Sequence, residues 1–213
     1  MNTDDLIRTL ATGAGPVESR AVPRRYAVAL ALGSLGALVV VATHLGVRND
    51  LAVLAELPMF WVRAAFAASV AATAFVALAR LARPGVPLGR ASFAMVAPMV
   101  AMWALAAVVL VLAEPMMRAM LVLGSTWKTC PLNITLVSIP VLVAVLWAIR
   151  GLAPTRPVMT GATAGRLAGG IGALVYTLHC PELEAPFLGV WYVIGMAIPA
   201  ALGALLGPRI LRW

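Results

Sequence analysis

Apolar residues occur along this chain in long blocks, not in the alternating or one-faced patterns of soluble strands and helices. Six blocks, at 26–46, 59–79, 91–113, 131–149, 158–178 and 186–206, each have the ~20 residues that carry a helix across a ~30 Å hydrocarbon core. Polar or turn-forming punctuation separates them: Arg48-Asn49-Asp50, Arg83-Pro84-Gly85, Gly124-Ser125-Thr126, Pro154-Thr155-Arg156 and the closing Pro208-Arg209. The pattern predicts an all-α fold, a bundle of six transmembrane helices. Residues 1–25 form a polar N-terminal segment, 26–207 the membrane domain and 208–213 a short tail. Between Glu114 and Trp127 the sequence predicts an interfacial helix outside the third span.

Composition agrees with this reading, since 62% of the residues are hydrophobic and only 11% charged. A net charge of +8 alone would point to nucleic acid, but its placement points to the membrane. With six crossings both termini share a side, and that side carries Arg8, Arg20, Arg24, Arg25, Arg80, Arg83, Arg90, Arg150, Arg156, Arg209 and Arg212. The opposite loops carry Arg48, Arg118 and Lys128, together with Asp50, Glu56, Glu114, Glu182 and Glu184. Lys and Arg accumulate on the cytoplasmic side of membrane proteins. Both termini are therefore expected in the cytoplasm. Direct nucleic-acid binding is not expected. The first 25 residues lack the form of a cleavable signal peptide, so the first span is expected to be retained.

The two cysteines, Cys130 and Cys180, fall at span ends on the outer side, each followed by proline: Lys128-Thr129-Cys130-Pro131 and His179-Cys180-Pro181-Glu182. On that side thiols can be oxidised and remain so. One reading is a responsive pair, either a reversible disulfide or soft thiolate ligands for a metal ion. Lys128 would then favour the Cys130 thiolate, and His179 and His44 are possible additional ligands. The other reading is a static disulfide or two small buried residues. No resident cofactor is expected, only transient heavy-metal binding.

At the N-terminus, Thr3-Asp4-Asp5 suits a helix start, with acids at the positive end of the dipole. Leu6, Ile7 and Leu10 then share one face, which fits either a partner's groove or an interfacial anchor. Gly161, Gly165 and Gly169 form a doubled small-xxx-small pattern that lets helix backbones approach closely. Arg166, with no acid in any span to pair with, is expected to snorkel or to bond backbone carbonyls. Arg63, near the outer boundary, is expected to snorkel outward. Pro98, Pro140 and Pro199 mark kinks within spans. Signatures of hydrolases, phosphate loops and metalloproteases are absent, so no enzyme is expected. A small transporter or efflux protein for metal or thiol ligands is the alternative, although the spans lack the midplane acids such proteins use.

The start Asp4-Asp5-Leu6-Ile7, the six spans, Trp127-x-x-Cys130, His179-Cys180-Pro181-Glu182 and the ending Gly207-Pro208-Arg209 together resemble the NrsF family of integral-membrane negative regulators of extracytoplasmic-function (ECF) sigma factors. The resemblance covers essentially the whole chain. It implies an anti-sigma factor that sequesters an ECF sigma factor at the bacterial inner membrane. Release would follow heavy-metal or oxidative stress sensed at Cys130 and Cys180. It further implies sigma contact at Asp4, Asp5, Leu6, Ile7 and Leu10. Joining or releasing the cysteines is expected to shift spans four and five, with the glycines of span five permitting the slide. The oligomeric state stays open.

Overall fold

The computed structural model describes residues 2–12, 21–83 and 85–212. The expectations placed on residues 13–20, including Arg20, lie outside these. Helix α1 (Thr3–Thr12) is followed by α2 (Ala21–Leu45), α3 (Leu51–Ala55), α4 (Pro58–Leu81), α5 (Ala91–Leu112), α6 (Pro115–Leu123), α7 (Cys130–Arg150), α8 (Pro157–Tyr176) and α9 (Ala185–Ile210). Six of these, α2, α4, α5, α7, α8 and α9, are long and apolar enough to cross a membrane. Proline opens α4, α6, α7, α8 and α9, where its missing N–H costs nothing because the first turn has no carbonyl to bond. The interfacial helix expected after span three is α6, none of whose residues is buried.

Helix α8 is the axis of the bundle. It is the least hydropathic span, with a mean hydropathy of 1.2, yet the most buried, because its small residues face protein instead of lipid. Each of its glycine faces meets a different neighbour. A Cβ on Gly161 or Gly165 would run into the backbone carbonyl of Gly203 or Pro199 in α9. One on Gly169 would lie 2.9 Å from Met196 Cα, also in α9. Gly170 faces Ala71 of α4 at 2.7 Å, and Gly172 faces Ser138 of α7. The tripled glycine stripe thus faces span six. The interface between spans four and five, where a glycine-lined slide was expected, is closed by Gly172 on Ser138.

Helices α2 and α5 are peripheral and present Leu32, Leu35, Val96 and Val111 outward. Trp103 of α5 ties it to α9 through an indole N–H donated to Gly189 O at 2.8 Å. Hydroxyls within the spans are spent locally: Thr135, Ser138, Thr160 and Thr163 each donate to the carbonyl four residues back. Arg166 donates Nη2 to Met95 O at 2.6 Å, one turn before Pro98 in α5. It bonds a carbonyl, one of the two fates expected for it.

Candidate functional site

At the loop end of the bundle, away from the termini, the chain assembles one polar cluster around two thiols. Cys130 is the first residue of α7, with Pro131 in the first helical turn. Cys180 lies in the non-helical link between α8 and α9, so the two Cys-Pro pairs look alike only in sequence. Both side chains are completely buried in one apolar cluster with Phe66, Tyr176, Phe187 and Tyr192. Both are free thiols and neighbours in that cluster, near enough for Cys130 to act on the Cys180 thiol.

Arg63 of α4 is the hub of this site. It does not snorkel outward but is completely buried, because the 177–182 link supplies it with acceptors. Nη1 donates to Cys180 O at 2.9 Å and Glu182 O at 2.7 Å, and Nη2 donates to Thr177 O at 3.1 Å. A guanidinium presents several donors in a fixed plane, which is why one side chain can gather three carbonyls of one loop. Its positive charge also acts, more weakly than the hydrogen bonds there, on the Cys180 thiol. Lys128, expected to favour the Cys130 thiolate, is exposed, with Nζ 5.2 Å from the centroid of the Trp127 ring. The thiols are served by a cation from span two and not by their own sequence neighbour.

Two further contacts pin the link. Glu182 Oε1 accepts from the backbone N–H (2.7 Å) and the hydroxyl (2.6 Å) of Ser125, and from the N–H and hydroxyl of Thr126. The carboxylate thereby locks the segment before Cys130 to the segment after Cys180. On the other flank His179 Nδ1 contacts Gly46 O at 2.9 Å, and Arg48 N–H donates to Leu178 O at 3.1 Å. This joins the link to the end of α2. His179 therefore uses one ring nitrogen on backbone, and His44 is exposed near the end of α2. Among the described residues no group of three or more His, Cys, Asp or Glu side chains is arranged to hold a metal ion.

The electrostatics separate the two thiols chemically. The Cys180 pKa is lowered from 9.0 to about 6, chiefly by the hydrogen bond from Cys130. Burial opposes the shift, while the Tyr192 hydroxyl, the Glu182 backbone N–H and the Arg63 charge add to it. A thiolate beside a thiol is the arrangement from which two-electron oxidation closes a disulfide, or from which a soft metal ion is taken by both sulfurs. A depressed pKa adds stability that is complete above pH 9.0, shrinks as the pH falls and is gone below about 6. The ultraviolet absorbance of the Cys180 thiolate, which needs no reagent to reach the buried sulfur, is expected to titrate with its midpoint nearer 6 than 9.0. Cys130→Ala, which removes the largest contribution, should move that midpoint upward; a midpoint at 9.0 in the parent chain would contradict this account.

At the opposite end, α1 places Leu6, Ile7 and Leu10 on one exposed face. Asn2 caps it, its side-chain oxygen accepting from Thr3 N–H at 2.8 Å, and Asp4 and Asp5 occupy the first turn. No residue of this helix is buried.

These features define a multi-pass helical membrane protein that holds a dithiol at one end of its bundle and an unpartnered amphipathic helix at the sequence's start. Residues 10–213 match the family described as "Negative regulator of sigma F" (NrsF), and the chain belongs to that family. It is 50% identical to the "Probable anti-sigma-F factor NrsF" of Azospira oryzae and 38% identical to the "Anti-sigma-F factor NrsF" of Caulobacter vibrioides, in each case over the full length of both chains. No solved structure matches it.

Proposed function

We propose that this protein is an anti-sigma factor. It holds an ECF-type sigma factor at the bacterial inner membrane through the cytoplasmic helix α1, and releases it when Cys130 and Cys180 are oxidised or bridged by a soft heavy-metal ion. The full-length match to two relatives named as anti-sigma-F factors carries this reading. The arginine-rich terminus side supports a cytoplasmic α1, and the exposed Leu6, Ile7 and Leu10 face supports its use as a docking element. Asp4 and Asp5 beside that face give it a polar margin toward the partner.

Regulation requires that a thiol event on one side bias two arrangements that differ in sigma affinity on the other. The link bearing Cys180 is bonded to α4 through Arg63 and to the end of α2 through Gly46 and Arg48. Closing or bridging the thiols would displace that link and pull on both helices. Helix α2 is the one that follows α1 in the chain. The transport alternative finds less support, because the span hydroxyls are bonded to their own helices and Asn133 to Tyr176.

Co-purification from unstressed cells of the native host tests the reading. The tagged full-length protein, solubilised in mild detergent, is expected to retain a sigma factor, and a form lacking residues 2–12 to lose it. Absence of any sigma factor from the full-length preparation would overturn the function. Equal retention by both forms would remove α1 from the contact.

A further inference from the structure

The end of the bundle where the termini lie contains a cleft of about 640 Å³ between α2 and α4, closed at one side by Leu152. Its walls are apolar: Val22, Pro23, Ala27, Leu30, Phe75 and Ala79. Two polar side chains interrupt them. Tyr26, 6% exposed, stands edge-on to Phe75 with ring centroids 5.7 Å apart, and its hydroxyl is buried with no hydrogen-bond partner. Arg83 lines the same cleft, exposed at the end of α4. Among the described residues the single ion pair is Arg48–Asp50 at the other end of the molecule, and none of the described carboxylates pairs with Arg83.

We propose that this cleft binds an anionic phospholipid of the surrounding bilayer, with its phosphate on Arg83 and the Tyr26 hydroxyl and one acyl chain along the apolar walls. Buried hydroxyls without partners are rare in folded proteins, and a headgroup that opens a path to this solvent-inaccessible hydroxyl gives it a phosphate oxygen as acceptor. The volume is that of an ordinary small-molecule site. Its depth fits as well: from Ala21 to Leu30 the helix descends about 14 Å, roughly one leaflet of a ~30 Å core. Basic pockets between span ends on the arginine-rich side are the places where phospholipid headgroups are held. A lipid here lies between α2 and α4, the two helices that contact the thiol link at their far ends. Occupancy of the cleft therefore bears on the same pair of helices that the thiols pull.

The test is native mass spectrometry of the full-length protein, purified in neutral detergent and exposed to phosphatidylglycerol or phosphatidylcholine of identical chains. Phosphatidylglycerol is expected to be retained about fivefold more than phosphatidylcholine. Tyr26→Phe with Arg83→Gln should abolish that preference, and Arg83→Gln alone, at an exposed position, should reduce it without a folding risk. Arg156→Gln, an arginine at the same end outside the cleft, should leave it intact. Equal retention of the two lipids by the parent chain, or a preference that survives the double substitution or vanishes with Arg156→Gln, would overturn the proposal. So would a large gain in lipid retention on deleting residues 2–12, which would identify α1 as the occupant.

Discussion

Arg63→Met is expected to destabilise the protein more than any other single side-chain replacement in the membrane domain. Methionine preserves much of the length and the apolar stem of arginine but none of its donors. The carbonyls of Thr177, Cys180 and Glu182 would lose their bonds from Arg63 in a buried setting. Each such loss costs about 1–3 kcal/mol, so the sum is of order 5 kcal/mol, comparable to the whole stability of many domains, about 5–15 kcal/mol. Arg63→Lys should recover little, because a single ammonium cannot span the three acceptors in the plane that the guanidinium forks occupy. Thermal unfolding of the detergent-solubilised protein reads the loss directly, and faster maleimide labelling of Cys180 in the folded fraction reads the loosened link. An unfolding midpoint within about 2 °C of the parent would show that Arg63 is not the hub described above.

The second large effect is expected at Gly165. Its added Cβ in Gly165→Ala would collide with the Pro199 carbonyl and lie 2.7 Å from Ala200 Cα, all of it backbone. Backbone of a packed helix cannot swing aside as a side chain can, so α8 and α9 must separate. The cost belongs at the upper end of the ~1–3 kcal/mol seen for overpacked cores. For a chain of this size that is a fall of roughly 6–12 °C in Tm. Gly189→Ala provides the contrast, because there the nearest atom is Trp103 Cδ1 at 3.2 Å, a side chain that can yield slightly. It should change the midpoint little. Equal tolerance of both substitutions would mean that the α8–α9 contact is looser than the distances indicate.

The blocks of apolar residues located all six spans to within a few residues, except that α2 begins earlier, at Ala21, and α9 runs on to Ile210. The position of α1 was also legible, since its acids and its Leu6, Ile7, Leu10 spacing are local properties of one helix. Partnerships between helices were not. The partners of Arg63 are backbone carbonyls, which every residue carries and no sequence pattern marks. Assigning the thiol's cation to Lys128 followed chain proximity, whereas the bundle brings Arg63 in from another span. The partner of the glycine stripe left a signal that could have been read. Pro199, Gly203 and Gly207 recur every four residues in α9, and in antiparallel order they match Gly169, Gly165 and Gly161. Glu182 stood out only as part of a motif; its clamp on Ser125 and Thr126 depends on a loop closure of 57 residues that no local reading contains.

The state of the Cys130–Cys180 pair is expected to set the grip on the sigma factor. This is tested most directly by titrating native-host membranes with a thiol oxidant. In each sample the fraction of Cys130–Cys180 disulfide is measured by mass spectrometry, alongside the sigma factor retained on the tagged protein. Retention should fall in step with disulfide formation, and Cys130→Ser with Cys180→Ser should hold the sigma factor throughout. Complete disulfide formation with the sigma factor still bound, or equal release from the double-serine protein, would contradict it.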